Sequence, residues 1–318
     1  MTITPFSAET DFIKRAYNIK PKSKVGMHMK TSTEINSVLK HVGYEKAIEL
    51  VASAGFDAWD FSMFNMIGYD WEKECHVHTQ DPLAGKNYAA FARKLRKIGE
   101  DFGIHCNQSH APFPVYCREI KSYLKRAIEC TAIAGGKICV IHPNNFASVE
   151  ENAEMYRELL PFAKEHGVKI ATENMWNWNK EKGVASAAAC SHHDNFLAHL
   201  LAVNDPYFVA CLDIGHAEME GLNTNAEKMI LTLGSHLQAL HVHDNDLKHD
   251  SHQIPFSMNI DFGAVVRSLK KIGYTGYLTL EADSYLSKYG QDNLFEGVKE
   301  LQRSAKRLSD MFESGSVQ

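Results

Sequence analysis

The chain has 318 residues, 44% of them hydrophobic, and a formal net charge of −5 with acidic and basic residues mixed along its length. That length exceeds the roughly 250 residues of one α/β barrel only by modest extensions, so one domain over residues 1–318 is expected. The lack of a sustained positive field argues against a nucleic-acid partner, and no stretch approaches the ~20 apolar residues that cross a bilayer.

The N-terminus, MTITPFSAETDFIKR, has no basic segment followed by an apolar core, and the seven cysteines are scattered without a Cys-x-x-Cys pair. They read as reduced thiols, and this reading places the protein in the cytoplasm.

In chain order the first predicted strand is KVGMHM near Val25. A helical stretch from Tyr44 to Ala54 then ends at Gly55 before FDAWDFS, and another from Tyr88 to Phe102 ends at Gly103 before IHCNQS. Glycine suits these helix ends because it accepts a left-handed backbone without steric cost. The same plan recurs from Glu119 to Ala134 before KICVIH and from Glu150 to Glu165 before VKIATE. It continues with Asn195 to Val203 before YFVACLD, Ala226 to Leu233 before LQALHVHD, and Phe262 to Ile272 before YLTLEAD. A last helix near Asn293 to Phe312 packs either on the barrel or on another copy in a homo-oligomer.

Short apolar strands alternating with helices imply a parallel sheet covered on both faces, and eight such units can close into a (β/α)8 TIM barrel, here over about residues 24–312. An open doubly wound sheet is disfavoured because no Gly-x-Gly-x-x-Gly follows the first strand, which also argues against a nucleotide cofactor. No Pro-, Gly- or Ser-rich linker divides the chain.

The predicted strands end on polar residues: His110, His142, Glu173, Asp213, His241 and Glu281. Any one alone reads as a helix cap or a loop acceptor. In a parallel barrel, however, these ends converge on one face, where several carboxylates repel one another unless a cation compensates them. A divalent ion does so, and oxygen plus imidazole donors suit Mn, Mg, Co or Zn better than a thiolate site would.

At ATENMWN, LDIGHAE, LHVHDND and LTLEAD the sequence resembles the xylose-isomerase-like TIM-barrel superfamily, in particular its sugar (phosphate) isomerase and epimerase branch. The resemblance implies one divalent ion held by Glu173, Asp213, His241 and Glu281, with His216 facing the substrate or the metal. It also implies that His243 and Asp244 orient His241. The related endonuclease IV branch uses a larger, polynuclear zinc set, whose order is matched here by adding His110, His142, His216, Asp250 and His252 as further metal or substrate ligands. Some epimerases carry an Arg where this chain has Leu247.

The expected activity is therefore metal-dependent isomerisation or epimerisation of a sugar or sugar phosphate, by proton transfer next to a carbonyl through an enediolate. Glu173 and Glu281 are the expected proton-transfer groups, with Trp176, Trp178 and Phe113 as apolar walls for a sugar or polyol. The alternatives are a polynuclear zinc phosphodiesterase of the endonuclease type and a polyol dehydratase.

Overall fold

The computed structural model describes residues 29–117 and 119–314. Eight parallel strands run in chain order: β1 (Thr31–Thr33), β2 (Ala58–Ser62), β3 (His105–His110), β4 (Ile138–Val140), β5 (Lys169–Glu173), β6 (Phe208–Asp213), β7 (Leu237–His241) and β8 (Leu278–Leu280). Each neighbour in this order is paired in parallel from β2 to β7, and β1 pairs with β8. Single bridges, Glu34 with Asp60 and Val242 with Leu280, join the two sheets and close the ring. The expected TIM barrel is the fold that forms.

Among the described residues eight helices of eight or more residues cover the barrel: α1 (Tyr44–Ala54), α2 (Tyr88–Asp101), α3 (Ile120–Ala134), α4 (Val149–Glu165), α5 (His193–Val203), α6 (Ala226–Leu233), α7 (Phe262–Lys271) and α8 (Leu294–Ser314). Gly55 and Gly135 end α1 and α3 with φ of 104° and 91°, the left-handed geometry expected at such ends. A reciprocal Ser148–Glu151 capping box starts α4. The last helix, α8, packs on α1, α7, β1 and β8 and so covers the seam of the barrel.

The expected first strand, KVGMHM, lies outside the described residues except for Met29; the first strand described is Thr31–Thr33. Short hairpins, Gly68–Asp70 with Cys75–Val77 and Asn177–Asn179 with Val184–Ser186, sit in the loops after β2 and β5.

Strand alternation divides the interior from the helix layer. Trp59, Phe61, Ile170, Phe208, Leu212 and Leu280 face outward into the main core. Val140, Ala171, Val209, Cys211 and Ala239 form a separate small-residue layer inside the barrel. The rest of the interior is a hydrogen-bonded chain: Ser32 Oγ donates to Asn107 Oδ1 at 2.7 Å, Asn107 Nδ2 to Thr279 Oγ1 at 3.1 Å, and Gln108 Nε2 to Asp60 Oδ2 at 2.9 Å. Buried polar groups satisfied in this way fix rotamers that an apolar filling would leave freer.

Candidate active site

The same alternation turns the last inward residue of each barrel strand, or one within two residues of its end, toward the C-terminal face: Glu34, Ser62, His110, His142, Glu173, Asp213, His241 and Glu281. Neighbouring registers bring Ser62 opposite His110 and Asp213 opposite His241. All are buried except His142, which is partly so.

One group centres on Glu173. Its Oε1 lies 2.9 Å from His241 Nδ1, and its Oε2 lies 3.4 Å from His110 Nε2 and 3.3 Å from His142 Nε2. Glu281 Oε2 approaches the same His241 nitrogen at 3.3 Å. His110 Nδ1 bonds its neighbour's carbonyl, Ala111 O, at 2.8 Å, so the proton belongs there and Nε2 presents a lone pair to the shared space.

A second group centres on Asp250. His216 Nε2 lies 3.2 Å from its Oδ2, while His252 Nε2 and His243 Nε2 lie 3.1 and 3.5 Å from its Oδ1. His243 Nε2 also meets Asp213 Oδ1 at 3.1 Å. Backbone carbonyls again take the outer nitrogens: His216 Nδ1 bonds Asn174 O at 2.9 Å and His252 Nδ1 bonds Glu281 O at 2.7 Å. Fixing the Nδ1 proton on a carbonyl leaves Nε2 available as a ligand, which is how imidazoles are prepared for metal binding.

The fit to a cation rests on orphaned atoms. Glu173 Oε2, Asp213 Oδ2, His243 Nε2 and Asp250 Oδ1 are buried and make no hydrogen bond, although other ligand-type atoms lie close by. Lone pairs that converge without a proton between them are costly to bury, and a divalent ion removes that cost. His110–His142–Glu173 and His216–His243–Asp250–His252 each place their donor atoms within 4.8 Å of one another.

The electrostatics point the same way. Burial pushes the Glu173 carboxyl up, but His241, His110 and His142 reverse this and hold it well below the usual range. Glu281 is held well above that range by burial, with the Glu173 charge adding to it against the opposing pull of His241. Burial, aided by His110, lowers His142 to about 4, so its ring is neutral at physiological pH. Burial lowers His216 too, but Asp213 and Asp250 outweigh it and lift the ring to about 10. Protons thus hold the place of a cation in the second group, and metal binding there displaces them.

The sequence model of the xylose isomerase-like TIM barrel matches residues 48–309. The chain belongs to the xylose isomerase-like TIM barrel family. It is 24% identical over 291 residues to the uncharacterized protein MJ1311 of Methanocaldococcus jannaschii, covering 85% of this chain and 89% of that protein. Among solved structures it is similar to the IolI protein with a bound zinc atom, with a TM-score of 0.67, 17% identity, and coverage of 90% of this chain and 100% of that one. It is also similar to a D-tagatose 3-epimerase-like protein, with a TM-score of 0.64, 20% identity, and coverage of 89% and 98%. At these identities the structural likeness is one of fold.

Within this xylose isomerase-like barrel the expected quartet meets in part. Glu173, His241 and Glu281 share one point, whereas Asp213 pairs with His216 and His243. The expectation that His243 and Asp244 orient His241 is corrected. The other nitrogen of His241, Nε2, faces Asp60 Oδ2 at 3.3 Å, His243 belongs to the Asp250 group, and the Asp244 carboxylate accepts from the backbone N–H groups of Asn245, Met258 and Ile260. One strand turn separates His241 from His243, and each is stacked on a different imidazole: His241 on His110 and His243 on His252.

Asp60 and Glu34 are the polar residues that sequence reasoning missed. The one signal for Asp60 was a carboxylate between Trp59 and Phe61 in a strand whose other side is apolar, and it did not reveal the partner. Cys211 also reaches the Glu173–His241 group, but burial pushes its thiol up to about 12 and keeps it protonated.

The two groups open into a cavity of about 480 Å³, within the range of small-molecule sites. Phe113, Phe64 and Trp176 line it. Phe113 stacks on His142 with ring centroids 4.9 Å apart, and Trp176 Nε1 donates to Asp250 Oδ2 at 3.2 Å. Trp178 meets Trp176 edge-on at 6.4 Å and stacks on His249, but it is exposed and does not line the cavity.

Proposed function

We propose that this chain is a divalent-metal-dependent isomerase or epimerase of a sugar or sugar phosphate, working by proton transfer next to a carbonyl. The observation that carries the reading is the meeting of Glu173 and Glu281 on His241 Nδ1 at 2.9 and 3.3 Å, one carboxyl held ionised and the other held protonated. Two carboxyl groups whose surroundings push their proton affinities apart form an acid–base pair. Similarity to structures named as a D-tagatose 3-epimerase-like protein and as IolI with a bound zinc atom supports the same reading.

Glu173, His241, Glu281 and the paired imidazoles His110 and His142 would hold the ion, with Asp213 beside them. A divalent ion supplies positive charge to the oxygens of an enediolate. Glu173 and Glu281 flank the substrate and exchange protons with carbon, one removing a proton and the other returning one. Asp60 holds the His241 ring in place through its second nitrogen. Phe113, Phe64 and Trp176 give the sugar an apolar wall and keep bulk water from the exchanging proton.

The test is solvent-deuterium exchange into a ketose by metal-loaded protein. Glu173→Gln and Glu281→Gln are each expected to abolish it, since a positioned base contributes roughly 10² to 10⁴ in rate. Exchange retained in both variants rejects the two-carboxylate scheme.

The second donor group favours one other reading, a polynuclear zinc phosphodiesterase. Against a nucleic-acid substrate stand the net charge of −5 and the carboxylates in the cavity wall.

A further inference from the structure

The pairing of β5 with β6 is finished by a side chain. Its last rung sets Cys211 beside Glu173, after which the chain leaves β5 while β6 runs on to Asp213. Asn174 makes the next rung with its amide: Asp213 N donates to Asn174 Oδ1 at 2.8 Å, and Asn174 Nδ2 donates to Asp213 O at 2.9 Å. The amide thus stands in for the peptide that β5 no longer supplies. Both residues are buried, so without it two main-chain groups of Asp213 would lose their partner away from water.

Because Asn174 pairs through its side chain, its own carbonyl is free to accept from His216 Nδ1 at 2.9 Å. Asp213 in turn caps the short turn Ile214–Ala217, its Oδ1 accepting from His216 N at 2.7 Å. One residue therefore fixes Asp213 at the main chain and His216 at the ring. The same residue follows Glu173 directly in the chain, and so joins the centre of the first donor group to Asp213 and His216, which stand with the second. Asn174 itself does not line the cavity.

Resting on the metal-dependent reading above, we infer that Asn174 is a positioning residue: it touches neither ion nor substrate, and it holds the ligands of the two donor groups at one spacing. Its loss frees Asp213 and His216 to shift against Glu173, and ligands held by such outer partners lose affinity when the partner goes.

Asn152 supplies the control. It is buried and makes the same two bonds, with Asn144 N donating to its Oδ1 at 2.8 Å and its Nδ2 donating to Asn144 O at 3.1 Å. In the full chain, Asn174→Ala is expected to lower Zn²⁺ affinity by about 10- to 100-fold, and Asn152→Ala to leave it unchanged at a comparable loss of Tm. Proton NMR of the metal-free chain gives a second reading. The His216 Nδ1 proton, sheltered on Asn174 O, is expected as a slowly exchanging resonance in the wild type and in Asn152→Ala, and to be lost in Asn174→Ala. Should Asn174→Ala not fold, Asn174→Ser, too short to bridge both groups of Asp213, is read in its place. A resonance absent from the wild type or kept in the Asn174 variant overturns the inference. Zinc held as tightly by that variant as by the wild type, or lost equally in Asn152→Ala, overturns it too. A wild type that binds no zinc removes the metal-dependent reading instead, and the resonance alone then decides the role of Asn174.

Discussion

Asp60 Oδ2 lies 3.3 Å from His241 Nε2, on the side of the ring opposite Glu173. A carboxylate at the outer nitrogen of a ligating imidazole fixes its orientation and raises its basicity. Asp60 is held in turn by Gln108 Nε2 at 2.9 Å, which ties the site to the polar barrel interior. Asp60→Asn is therefore expected to lower metal affinity or turnover by about 10- to 100-fold with the fold intact. Metal titration together with circular dichroism checks this, and unchanged affinity and turnover count against an orienting role.

Gly215 stands directly against His243. A methyl group there would lie 1.9 Å from Cε1 and 2.3 Å from Nε2 of that ring. Gly215→Ala must push His243 off Asp213 and Asp250, at a cost of about 1–3 kcal/mol in stability. Urea unfolding measures the loss, and a variant as stable as the wild type would show that the ring has room to move.

Glu34 supplies a pH prediction. Burial, with the charges of Asp283 and Asp60 adding to it against the hydrogen bonds from Ser37, raises this carboxyl from 4.5 to about 7. The folded chain then binds the proton more tightly than the unfolded chain. Its stabilising effect is full below pH 4.5 and is lost as pH rises through about 7, a change of about 3 kcal/mol. Glu34→Gln is expected to gain stability over the wild type at pH 8 and to gain little at pH 4.5. A difference independent of pH contradicts the assignment.

Removal of the metal is expected to destabilise the fold, because an ion that binds only the native state stabilises it by mass action. Chelation should lower the Tm by on the order of 5 °C, with recovery on adding back a divalent ion. Protons on His216 compete for the second group, so recovery is expected to be weaker at pH 6 than at pH 8. Recovery equal at both pH values argues that this group stays empty.

The barrel was legible because its βα units repeat one local rule, an amphipathic helix closed at glycine and followed by a short apolar run. Glu173, Asp213, His241 and Glu281 were legible for a related reason, since strand ends in a parallel barrel share one face. What could not be read was which partner each inward side chain meets. His241 and His243 differ by one strand turn, so sequence spacing alone could not assign them to separate groups. Asp60 was hidden because its contact with His241 crosses the barrel, and Glu34 because the first strand was expected earlier in the chain, at KVGMHM.

The most direct test of a shared cation is elemental analysis of the purified chain after loading with a divalent ion and exhaustive dialysis, with Glu173→Gln beside the wild type. The expected result is at least one tightly held ion per wild-type chain, lost or sharply reduced in the variant. A wild-type chain that retains none, while correctly folded, would contradict the account.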